Sequence, residues 1–204
     1  MAIPARKDGR PTSLASALVA AWRLLYPDPE TKRPGDPGAR AALRRAGSPE
    51  AVMLEPAFHM LLLQMRDRGF DFGGFNDERY RRLALVVGLL AERKNGGAGT
   101  RRFLKALGGA SKPEDRVLST PRFQSLMAAL DRGLDADAMT SLRRALKAAA
   151  DLDFDIHEFV RDLMNWGDAT RIKWTFDYFG QPQPAAAQPV ATDTENPETE
   201  ETSR

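Results

Sequence analysis

The sequence predicts an all-α protein, a compact bundle of eight or nine short helices, and three observations point there. Ala and Leu together number 53, against 10 Ile and Val, so residues that favour helix far outnumber the β-branched aliphatics that favour strand. Apolar residues recur at three- and four-residue spacing in segment after segment, and no segment alternates as a half-buried strand would. Helix start and stop signals (Ser, Asp or Asn before the stripe, Pro at the first position, Gly after it) bound nearly every such segment.

In chain order, Thr12 or Ser13 can cap a first helix carrying Leu14, Ala17, Leu18, Ala21, Trp22 and Leu25, which Pro27 ends. After a Pro/Gly-rich loop, Asp36-Pro37 opens a short helix with Ala41, Ala42 and Leu43, and Ser48-Pro49 repeats that start signal. A strongly apolar helix with Phe58, Leu61, Leu62 and Met65 follows, then a loop with aromatic anchors at 70–75. Asn76 caps the next stripe, Tyr80, Leu83, Ala84, Val87, Leu90 and Ala91. Thr100 is read as the cap of a helix with Phe103, Leu104 and Leu107, stopped by Gly108. Thr120-Pro121 opens a helix with Phe123, Leu126, Met127 and Leu130. Asp135 caps one with Met139, Leu142, Leu146 and Ala149 inside and Arg143, Arg144 and Lys147 largely outside. Asp155 and Glu158 stand at capping-box spacing before Ile156, Phe159, Val160, Leu163 and Trp166. A final helix from about Asp168 to Gly180 is expected to bury Ile172, Phe176 and Phe179.

These signals define a flexible N-terminus over 1–11, a helical domain over 12–180 with a possible lobe boundary within 94–121, and a tail over 181–204. The tail holds five acids against Arg204, four Pro and no large aliphatic except Val190. It cannot bury enough apolar surface to offset the entropy of ordering, and reads as disordered.

Composition excludes several kinds of chemistry. With no cysteine there are no disulfides, iron–sulfur clusters or thiolate zinc sites. His59 and His157 are the only histidines, too few for a His-rich metal site. Asp151-Leu152-Asp153-Phe154-Asp155 opens like a calcium loop, but Ile156 and Asp162 stand where such a loop needs Gly and Glu. His157-Glu158 lacks the second His of a zinc-protease helix. No acid–base pair or nucleophile constellation stands out, so no catalytic residue, metal or cofactor is expected. Nothing is long and apolar enough to span a membrane, and Met1 to Pro11 lacks the apolar core of a signal peptide, so a cytoplasmic protein is expected.

Charge is the informative feature. Of 30 basic residues, 23 are Arg, the side chain suited to bidentate phosphate contacts and stacking on bases. The window 100–150 carries ten basic and five acidic residues, whereas 151–168 carries six acidic residues and one Arg. A basic face beside an acidic one suggests a polyanion site plus a surface for a protein partner. Gly96-Gly97-Ala98-Gly99-Thr100-Arg101 is a candidate phosphate nest that lacks the Lys-Ser/Thr of a P-loop. No recognition helix for reading bases is evident.

Three ordered groups of motifs carry a family resemblance. The first is Trp22-Arg23-Leu24-Leu25, Gly38-Ala39-Arg40-Ala41-Ala42-Leu43-Arg44-Arg45 and Pro56-Ala57-Phe58. The second is Leu89-Leu90-Ala91 leading into Thr100-Arg101-Arg102-Phe103-Leu104-Lys105-Ala106-Leu107-Gly108. The third is Arg122-Phe123-Gln124-Ser125-Leu126, Leu142-Arg143-Arg144-Ala145-Leu146, Asp162-Leu163-Met164-Asn165-Trp166 and the closing Tyr178-Phe179. In this order the chain, over about 14–180, resembles the CasB small subunit of the type I-E CRISPR surveillance complex, Cascade.

The resemblance implies an all-α, non-catalytic subunit. Two copies would pack head to tail between the large subunit and the backbone subunits that hold the guide RNA. Their basic surface would hold the single-stranded, displaced non-target DNA without regard to sequence. Arg44, Arg45, Arg101, Arg102, Lys105, Arg122, Arg143 and Arg144 lie in or beside the resembling motifs; Arg132 and Lys147 join them on charge alone. A free-standing helical nucleic-acid-binding regulator and a purely structural adaptor are the alternatives from other classes. Reversing Arg143 and Arg144 to Glu is expected to weaken R-loop retention without unfolding the protein.

Overall fold

A computed structural model describes residues 13–93, 99–108 and 113–182. Residues 96–98 of the candidate phosphate nest lie outside them, as do the N-terminal segment through residue 12 and residues 183–204 of the tail. Ten α-helices form among the described residues: α1 Leu14–Trp22, α2 Pro37–Arg45, α3 Pro49–Met53, α4 Pro56–Asp67, α5 Asp77–Leu90, α6 Phe103–Gly108, α7 Thr120–Arg132, α8 Ala136–Ala148, α9 Ile156–Met164 and α10 Asp168–Phe179. Two 3₁₀ turns, Arg23–Leu25 and Pro113–Asp115, complete the order. No β-strand forms among the described residues, and no helix is long and apolar enough to cross a membrane.

The local start signals behave as their chemistry requires. Ser13, Asp36, Ser48, Asn76, Asp135 and Asp155 each accept a hydrogen bond from a first-turn amide of α1, α2, α3, α5, α8 and α9. Each satisfies a donor that the helix itself cannot. Thr100 does not cap α6, which begins only at Phe103.

Helix α5 is the axis of the bundle. All eight residues from Leu83 to Leu90 are buried, where a single stripe is expected. The reason is enclosure, since α2, α3, α8 and α9 pack around it, and a helix apolar on all sides is a core helix. Its C-terminal end is closed by α1 and the 3₁₀ turn after it: Trp22 Nε1 donates to the Leu90 carbonyl (3.0 Å) and Tyr26 Oη to that of Arg93 (2.6 Å). Helix α1 also packs on α4 and α9, while α7 pairs with α8.

Helix α10 seats on α6, and here the expected face is wrong. Ile172 is 45% exposed and Phe179 38%, whereas Trp174, Asp177 and Tyr178 are buried. Both arcs of α10 contain aromatic residues, so periodicity does not choose between them; the partner does. Phe103 of α6 sits 5.9 Å from Trp174, and Phe123 of α7 stacks on Tyr178 at 3.9 Å, with rings inclined by 3°. His59 is exposed, and its ring nitrogen lies 2.8 Å from the Met53 carbonyl.

Candidate nucleic-acid interface

Eight of the ten candidate cations fall into three groups once placed on this scaffold, and two stand apart. Arg122 projects from α7, and Arg144 and Lys147 from α8. All three are exposed and line one groove of about 450 Å³ between these helices. Leu118, Leu126, Ala145 and Ala148 give it an apolar floor, and Ser125 and Ser141 stand among the cations. Lys147 also lines a neighbouring groove with Arg44 of α2. A strip of positive charge therefore runs from Arg122 through Arg144 and Lys147 to Arg44. None of the four makes an ion pair among the described residues.

The second group flanks α6. Arg101, Arg102 and Lys105 share a groove with Thr100, Asp177, Gln181 and Pro182. Arg101 and Lys105 are exposed. Arg102 is engaged internally, with Nη1 3.0 Å from Asp177 Oδ1 and Nε 3.2 Å from Glu158 Oε1. Those two carboxylates strengthen the hold of its guanidinium on its proton against the opposing effect of burial. Arg45 and Arg132 are exposed and join neither groove.

Arg143 stands alone and corrects the expectation that it lies outside. Its side chain is only 15% exposed, and Nε lies 3.2 Å from Glu92 Oε1, itself 11% exposed. Nη2 donates to the Leu43 carbonyl of α2 at 3.4 Å. Burial lowers its proton affinity, and Glu92 partly restores it. This side chain is a tie between α8, α2 and the end of α5. Consecutive residues on a helix point about 100° apart, so Arg144 faces solvent while Arg143 faces inward.

The acidic stretch 151–168 is also less of a face than its composition suggests. Asp155 caps α9. Its own amide donates to the Arg101 carbonyl at 2.8 Å, so the return arm of a capping box is not needed. The freed Glu158 carboxylate reaches Arg102 and Lys173. Asp162 accepts from Lys173 Nζ (2.6 Å) and from Trp174 Nε1 (2.7 Å). Burial holds the Asp162 carboxyl above the usual carboxylate range in spite of both. Two of the six acids, Glu158 and Asp162, thus tie α9 to Arg102 and α10, and a third, Asp155, caps α9.

Neither Ser125 nor Ser141 is among the ten candidate residues, yet both line this groove. The signal was present in the spacing: Arg122 and Ser125, and Ser141 and Arg144, are i, i+3 pairs that share a helix face.

Comparison with known proteins agrees with this architecture. The family model for the CRISPR-associated protein Cse2 matches residues 39–179. The chain belongs to the Cse2 family. The match spans all ten candidate cations and stops short of the acidic tail. CasB from Thermus thermophilus shares the fold, with a TM-score of 0.58 and 19% identity over 83% of this chain and 99% of that one. A second solved structure from Thermus thermophilus, a CRISPR-associated protein of the Cse2 family, superposes equally, at 20% identity and the same coverage. Among curated protein sequences, none matches. The resemblance to CasB and the all-α class expected from the sequence are both borne out.

Proposed function

We propose that this Cse2-family protein is the non-catalytic small subunit of a type I-E Cascade complex in the cytoplasm. Its helical unit over 12–180 holds the displaced non-target strand. It also bridges the backbone and large subunits beside a second, head-to-tail copy. The observation that supports this reading is the strip Arg122–Arg144–Lys147–Arg44, exposed and without an ion pair among the described residues. Replacing a DNA duplex with a guide–target heteroduplex is nearly balanced in free energy. A surface that holds the strand left over tips that balance. Backbone contacts suffice for this, and they need positive charge rather than sequence readout. The apolar floor of the α7–α8 groove offers a place for the flat face of a base beside the phosphates.

The test is charge reversal within the assembled complex. An Arg122→Glu, Arg144→Glu, Lys147→Glu variant is expected to shorten R-loop lifetime by roughly tenfold or more. The slope of log lifetime against log salt should flatten by about two, since each lost single-strand phosphate contact contributes about 0.7. Unchanged lifetime and slope in a complex of normal composition would remove this strip from the DNA path. Failure of the variant to enter the complex, with the folded monomer unaffected, would assign the strip to a protein neighbour and favour the adaptor reading.

A further inference from the structure

We infer that the groove flanking α6, at Arg101 and Lys105, is a docking surface for this chain's own acidic segment, residues 193–201. The inference goes beyond the proposed function, which concerns the strip on α7 and α8, and it assigns a role to a segment outside the family match.

The exit direction of the chain is the first support. Helix α10 ends at Gly180, in the left-handed conformation at φ +67°. The Gln181 amide donates back to the Phe176 carbonyl at 2.9 Å, and that of Gly180 to Asp177 at 3.2 Å. These bonds lock the last turn. They direct Gln181 and Pro182 into the wall of the same groove that holds Arg101 and Lys105. The described chain therefore ends at Pro182 in the wall of a basic groove, with 22 residues, 183–204, still to follow in the sequence.

Charge complementarity is the second support. Within the groove, Asp177 is occupied by Arg102, which leaves Arg101 and Lys105 as exposed cations without an ion pair among the described residues. The following segment brings Asp193, Glu195, Glu198, Glu200 and Glu201 with a single opposing charge, Arg204. The far side of Arg101 is bordered by Asp151 and Asp153, so the open cationic side of the groove is the one toward Lys105. Reach is ample. The eleven residue steps from Pro182 to Asp193 span up to about 40 Å extended and about 18 Å on average as a coil. A tether of this length gives an effective concentration on the order of millimolar, enough to populate even a weak ionic contact. The segment then acts as a built-in polyanion that nucleic acid must displace from this face.

Because the chain has no cysteine, an Asn196→Cys variant takes a nitroxide label at one site only. At low salt, the backbone amide signals of Arg101 and Lys105 are expected to broaden selectively. They should recover in 1 M NaCl, where the Debye length is about 3 Å, and in an Arg101→Glu, Lys105→Glu background. Absence of broadening, broadening indifferent to salt, or stronger broadening along α7 and α8 would overturn the assignment. A second measurement separates this inference from the DNA reading. Deleting residues 183–204 is expected to tighten binding of a 30-nucleotide oligo-dT roughly threefold or more, with no such gain in the Arg101→Glu, Lys105→Glu background. Selective broadening with unchanged oligo-dT affinity would support the docking and remove DNA from this face alone.

Discussion

Reversing Arg143 to glutamate is expected to destabilise the protein by about 3–5 kcal/mol, whereas Arg144→Glu, one residue along, should leave stability within about 0.5 kcal/mol. A glutamate at position 143 would face Glu92 where an ion pair now closes at 3.2 Å with both side chains largely covered. It would also withdraw the donor from the Leu43 carbonyl. Removing one partner of a covered pair leaves the other charge desolvated and unmatched. Against a typical net stability of about 5–15 kcal/mol, that loss is large. For a chain of this length it corresponds to a fall in Tm of roughly 2–4 °C per kcal/mol. Thermal unfolding of the two single variants and of the swap Glu92→Arg, Arg143→Glu checks it. The swap should recover part of the loss, and a Tm for Arg143→Glu within about 2 °C of wild type would refute the tie. It follows that the paired reversal at 143 and 144 is not a clean probe of DNA binding; Arg144→Glu alone is.

Gly108→Ala carries the second large effect, about 3 kcal/mol or more. Gly108 is the last residue of α6 and is buried against α10. A Cβ there would enter the Tyr178 ring and come within 2.5 Å of the Tyr178 carbonyl oxygen. Neither neighbour can give way easily. The Tyr178 ring stacks on Phe123, and its hydroxyl donates to the Leu118 carbonyl at 2.7 Å. Inserting a methyl into a well-packed site costs roughly 1–3 kcal/mol, and a backbone obstacle that must move with a whole helix raises that figure. Gly47→Ala is the control, since its Cβ would meet nothing within 4 Å. Urea denaturation of both variants is the measurement. Equal midpoints would show that α10 is not seated on Gly108. The same substitution should disturb the groove at Arg101 and Lys105, because α10 supplies one of its walls.

Asp36-Pro37, Ser48-Pro49, Asn76, Asp135 and Asp155 fix where their helices start. The cap and the orphan amides it satisfies lie within about three residues of each other, so nothing distant is needed to read them. Family membership was legible for a related reason: ordered motifs along one chain survive without knowledge of how they pack. The interior stripes of α7, α8 and α9 were legible because each has one apolar arc. Sequence periodicity stopped being sufficient where a helix offers two arcs, as α10 does with Ile172, Phe176 and Phe179 against Trp174 and Tyr178. It was also insufficient where a polar arc is partly covered, as at Arg143. Those choices belong to α6, α7, α2 and the end of α5, neighbours far away in the chain; the Leu43 carbonyl that receives Arg143 lies 100 residues before it. The sequence of this protein by itself determined its helical class, the starts of its capped helices and its excess of arginine. Only the tertiary structure decided which arginines remain free to meet a polyanion, because a guanidinium's availability depends on the carboxylate or carbonyl that folding brings to it.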